Sequence, residues 1–126
     1  MKLLNVLLIV SLCAVALPSL ADERPRDGTW WQNLPASSKH VYILGYFDAA
    51  SGASGICTSL ADMADRFTGV SNAEITAGLD QFYAADFRNL HIDVSNAALL
   101  TLLAATGEPS DKLRARLDLL RSRGTR

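Results

Sequence analysis

The chain has 126 residues, with 12 basic and 13 acidic side chains and a formal net charge of −1. Such a balance, with no stripe of Lys and Arg interleaved with aromatics, excludes the electrostatic footprint of a nucleic-acid-binding protein. The only histidines are His40 and His91, and no His-x-x-x-His or Cys-x-x-Cys spacing is present, so no zinc site is expected.

Residues 1–21 read as a cleavable export signal. Met1-Lys2 supplies the positive start, Leu3 to Leu17 is almost wholly apolar, and Ser19-Leu20-Ala21 carries small residues where a signal peptidase reads. The apolar stretch is about fifteen residues, short of the roughly twenty a bilayer span needs. The protein is therefore expected to be periplasmic or secreted, with no membrane anchor after processing. Removing 21 of 126 residues leaves 105, one domain with enough chain to bury a core. Cys13 leaves with the signal. Cys57 then stands alone as a free thiol, a buried apolar residue or one half of an intermolecular disulfide.

Residues 22–29 are charged and contain Pro25 and Gly28, which predicts a flexible leader ahead of a helical domain over 30–126. The adjacent Trp30 and Trp31 cannot face the same way on a regular element. At least one is expected to pin the segment to the domain, and an exposed one would be a partner-binding aromatic. A first helix is predicted from Pro35, capped near Ser37 or Ser38, to about Ala50. It is apolar nearly all round, which predicts burial on more than one side. Gly45 within it points to close approach of a neighbouring helix. Asp48 ends the apolar run. As a buried carboxylate it would take a donor from Trp30, Trp31, Tyr42 or Tyr83, and exposed it would serve a partner.

The small Ser51-Gly52-Ala53-Ser54-Gly55 loop lacks a Gly-Lys-Thr signature and is not a phosphate cradle. A second helix is expected from Thr58 or Ser59 to Phe67, stopped by Gly69. The third has the clearest start: Ser71 and Glu74 have capping-box spacing, with Val70 and Ile75 placed for a hydrophobic staple. Its inner stripe is Ile75, Leu79, Phe82 and Tyr83, and it should fade near Phe87 to Asn89. The fourth, capped by Asp93 or Ser95, is so apolar from Ala97 to Ala105 that it should be central to the core. The fifth, capped by Ser110, should turn Leu113, Leu117 and Leu120 inward and pair Arg114 with Asp118 outside. The expectation is an all-α, compact single-domain bundle of about five helices, with no strand and no internal repeat.

Chemistry-bearing patterns are sparse. Read as a calcium loop from Asp86, the third and fifth positions are Arg88 and Leu90, the sixth is His91 and the twelfth Ala97, so the loop fails. Asp86 and Asn89 are instead expected to bond backbone in a polar turn. No metal, cofactor or catalytic set is expected, although Cys57 ahead of a helix could be an activated thiol if a histidine lay beside it.

Trp30 and Leu34, then Lys39, Tyr42, Gly45-Tyr46 and Asp48, with Cys57 before a helix, resemble the Rap/Tai-like family of small exported helical proteins. Several of its members are type VI secretion immunity proteins. The stretch from Leu79 to Ile92 is similar to segments of uncharacterised exported proteins with the same front half. The resemblance implies an all-helical periplasmic domain, often a homodimer, that does no chemistry. Its immunity members plug the active-site cleft of a cell-wall amidase. They usually carry a cysteine pair; Cys57 matches the first position and nothing matches the second. Gly45, Asp48 and Cys57 carry over as motif positions. The resemblance thus favours a non-catalytic binding protein with a protein partner, such as a secreted peptidoglycan amidase. A self-associating envelope protein and a Cys57-dependent enzyme are the alternatives.

Overall fold

The computed structural model describes residues 25–53, 66 and 68–123. Five α-helices and one 3-10 turn follow one another in that range: α1 (Gly28–Gln32), α2 (Ala36–Ala53), α3 (Asn72–Ala85), the 3-10 turn (Phe87–His91), α4 (Val94–Ala105) and α5 (Ser110–Arg123). The fold is all-α, and no strand occurs among the described residues. The second predicted helix, apart from Arg66, and Cys57 lie outside the described residues.

Local chemistry sets the element ends. The Asp27 carboxylate accepts from Trp30 N at 3.0 Å and caps α1. At the start of α3, Ser71 Oγ accepts from Glu74 N at 3.2 Å while the Glu74 carboxylate accepts from Ser71 N at 2.7 Å. Both halves of the expected capping box are thus made. Asp93, not Ser95, caps α4, accepting from Asn96 N at 2.9 Å. Ser110 is the first helical residue of α5 rather than its cap.

The core lies around α3, which touches α1, α2 and α4. Ile75, Leu79 and Tyr83 of its predicted inner stripe are buried and meet Trp31, Ile43, Ile92, Val94, Ala97 and Leu102, while Phe82 of the same stripe is only half-buried. α4 buries six of its residues and is central, again as expected. α5 buries none completely and rests on the half-buried Leu113, Leu117 and Leu120. No ion pair joins Arg114 to Asp118 among the described residues.

Three local expectations are corrected. The described part of the 22–29 leader is tied down. Val94 N donates to Arg26 O at 2.8 Å, Asp27 and Asp93 form an antiparallel bridge, and Gly28 is buried. A Cβ on Gly28 would stand 2.5 Å from Tyr83 Cε1 and 2.9 Å from Leu90 Cα, so only glycine lets α1 seat this close. Gly45, by contrast, is exposed and a Cβ there would meet nothing within 4 Å. The tight helix approach is instead at Gly78, where a Cβ would collide with the Thr101 side chain of α4. Third, α2 is apolar all round but buried on one side only: Ile43 is inside, while Val41 and Leu44 are 69% and 50% exposed. Among the described residues no helix is long and apolar enough to cross a membrane.

Candidate functional site

Two surfaces hold the residues that the sequence singles out. The first is formed by α1 and the front of α2. Trp31 is completely buried, and its Nε1 donates to Asp80 Oδ1 at 2.8 Å. The same oxygen accepts from Lys39 Nζ at 2.8 Å, and that ammonium sits 5.4 Å from the centre of the Trp31 ring. Trp31 is therefore a core residue with no surface to offer a partner. Its carboxylate partner is Asp80 rather than Asp48, which stands exposed on α2. Trp30 is half-buried, packed edge-on to Tyr42 with ring centres 5.1 Å apart. The Arg26 guanidinium lies 5.9 Å and 6.0 Å from the Trp30 and Tyr42 rings. Trp30, Leu34, Val41 and Tyr42 line a shallow depression there. The exposed Gly45 and Asp48 sit further along α2.

The second surface is the turn between α3 and α4. The Asp86 carboxylate accepts from Arg88 N at 2.9 Å, which starts the 3-10 turn. It also accepts from the Arg88 guanidinium, at 2.6 Å from Nη2, and from Arg121 Nη2 of α5 at 3.0 Å. Asn89 is 3% exposed. Its Nδ2 donates to Phe82 O at 2.6 Å, and its Oδ1 accepts from Arg121 Nε and Nη2 at 2.9 and 2.8 Å. Tyr83 completes the support by donating from its hydroxyl to Ile92 O at 2.9 Å, and burial pushes that hydroxyl's pKa up. Asp86 and Asn89 thus hold the turn, the role their positions predict.

This clamp has an electrostatic signature. The Asp86 carboxyl is held down to about 2, first by the hydrogen bonds from the Arg88 side chain and backbone, then by the Arg121 and Arg88 charges. Its ordinary value is near 3.8. Between those values the unfolded chain binds more protons than the folded one, so stability rises with pH. The contribution of Asp86 is complete above about pH 4 and fades as the pH falls toward about 2. Urea titrations from pH 2 to pH 5 should show a shallower acid slope for Asp86→Asn than for the unaltered protein.

Phe87 rides on this clamp. It is 76% exposed, the most exposed large apolar side chain among the described residues. Its sequence context hides this. Counting by fours from Leu79 through Tyr83 reaches Phe87, so an unbroken α3 would bury it. The helix ends at Ala85, and the extended backbone of Asp86 (φ −156°, ψ 124°) turns the next residue outward. Asp80 and Arg121 are the other residues whose roles the sequence does not announce. No cluster of three or more His, Cys, Asp or Glu side chains able to hold a metal ion occurs among the described residues. Compared with known proteins, the chain matches no family model, no curated protein and no solved structure.

Proposed function

We propose that this is a non-catalytic periplasmic binding protein, exported by the signal at residues 1–21, that inhibits a cell-wall amidase by occluding its cleft in the manner of an immunity protein. The observation that carries the reading is Phe87. It is a large aromatic held out to solvent on a turn clamped by Asp86, Asn89 and Arg121. Ordering a contact side chain and its loop opposes binding, and a turn fixed in advance avoids that loss. Aromatics that enter a desolvated pocket dominate interface energetics. A knob of this kind suits insertion into a cleft better than docking on a flat face.

The amidase to test is a secreted one encoded beside this chain. One equivalent of the purified protein should abolish its hydrolysis of peptidoglycan. Phe87→Ala should weaken inhibition about 30-fold, the equivalent of about 2 kcal/mol. Because Phe87 is exposed, the variant should keep the thermal midpoint of the unaltered protein. Equal inhibition by both would remove Phe87 from the contact, and an amidase left fully active would end the reading.

Val41 and Leu44 favour a second reading, a self-associating envelope protein, because they leave apolar surface exposed on α2, with Val41 beside Trp30 and Leu34. Sedimentation equilibrium separates the two: a dimer lost in Val41→Glu, without amidase inhibition, supports assembly.

A further inference from the structure

A groove of about 690 Å³ runs between α3, α4 and α5, clear of the α1–α2 surface and reaching Ala85, next to the Asp86 turn. That volume falls within the roughly 300–1,000 Å³ of small-molecule sites. The contact of Gly78 with Thr101 brings α3 and α4 together and closes its floor. Phe82 forms one wall and Leu117 the other, and small residues such as Ala104 leave the channel between them open. The α5 wall is seated only by half-buried leucines, so it presents apolar side chain toward the groove as well as toward the core.

The rim carries one acid and one cation, in different states. The Glu74 carboxylate is already engaged, accepting from both Ser71 N and Ser71 Oγ at 2.7 Å. Arg114 is exposed and makes no ion pair among the described residues. An apolar channel with an uncommitted guanidinium at its edge is complementary to a tail with an anionic head. The α3 rim offers Glu74 and Gln81 and no cation, so an anionic bilayer laid across the groove would meet a carboxylate.

We propose that this groove binds a free medium-chain fatty acid, with the tail between Phe82 and Leu117 and the carboxylate at Arg114. The proposal does not depend on amidase inhibition. The probe is dodecanoate, titrated calorimetrically into the purified protein below its micellar concentration, with circular dichroism on the same samples to confirm that the helices persist. Saturable one-to-one binding is expected, together with a rise in thermal midpoint, because a ligand of the folded state stabilises it. Octanoate should bind about 200-fold more weakly, since it buries four fewer methylenes. Ala104→Trp fills the channel from an exposed position and should abolish binding. Ala105→Trp, also exposed, serves if the first variant does not fold. Arg114→Gln should lower dodecanoate affinity about threefold, as expected for an exposed ion pair, and erase the preference over dodecyltrimethylammonium.

Absence of saturable binding would overturn the proposal. So would binding that survives the tryptophan substitutions, or equal binding of the cationic amphiphile by the unaltered protein. Co-sedimentation with phosphatidylglycerol vesicles in the absence of dodecanoate binding would assign the groove to a membrane surface and equally overturn it.

Discussion

Trp31→Ala should destabilise the domain more than any other single truncation, by about 3–5 kcal/mol, the range for emptying a buried large aromatic site. Trp31 is completely buried and stands where α1, α2 and α3 meet. Its loss removes three things together. The indole volume leaves a cavity, the Nε1 donor to Asp80 disappears, and the ring beneath the Lys39 ammonium goes with it. Because folded domains are stable by only about 5–15 kcal/mol, this one change should leave the protein marginal. Guanidinium denaturation followed by far-ultraviolet circular dichroism checks it. Trp31→Phe restores most of the volume without the donor and should recover more than half of the loss. A Trp31→Ala protein with an unshifted midpoint would show that α1 does not carry the core contact described above.

Asn89→Ala comes second, at about 2–3 kcal/mol, because a buried polar group left without its partner costs about 1–3 kcal/mol. The Asn89 side chain serves two groups at once, the Phe82 carbonyl at the end of α3 and the Arg121 guanidinium from α5. Removing it strands the carbonyl and loosens α5 from the turn. The partner substitution Arg121→Ala should therefore be strongly non-additive with it. The double variant is expected to lose little more than Asn89→Ala alone, since both changes dismantle one network. Additive losses would mean that Asn89 and Arg121 act separately. Asp86 retains its Arg88 bonds in the Asn89 variant, so the acid slope assigned to Asp86 should largely survive there.

The difference between these two sites and the capping box shows which information is local. Ser71 and Glu74 are three residues apart, and their reciprocal bonds follow from spacing alone. The Asp93 cap and the stripe of Ile75, Leu79 and Tyr83 are legible for the same reason. Trp31 and Asp80 are 49 residues apart, and nothing near either of them points to the other. A reading confined to neighbours supplies Asp48, the nearest carboxylate on an apolar helix, and that side chain is exposed.

α2 shows a related limit. Apolarity on every side predicts burial on every side, yet the fold covers only the Ile43 face and leaves Val41 and Leu44 outside. Composition reports what a helix could bury, and the number of neighbours decides what it does bury. Gly45 and Gly78 are equivalent as letters, both glycines within helices. Only the Thr101 side chain opposite Gly78 distinguishes them, and it belongs to another helix. Phe87 was hidden by the opposite effect, a periodicity that points inward and is cancelled by the helix break at Asp86.

The bridge between Asp27 and Asp93 has a consequence for the order in which the domain is completed. A chain is synthesised from its amino end, so Arg26 and Asp27 leave the ribosome long before Asp93 and Val94. α3 and α4 are close in sequence and can form their hairpin as soon as both have emerged. α1 closes its own cap at once from Asp27, but its buried glycine and the Trp31 indole wait for Tyr83 and Asp80, which are made later. Among the described residues, the first helix to emerge is thus seated only after α3 and the start of α4 have followed it. Until then Trp31 is without its Asp80 partner and open to any chaperone that escorts the nascent chain.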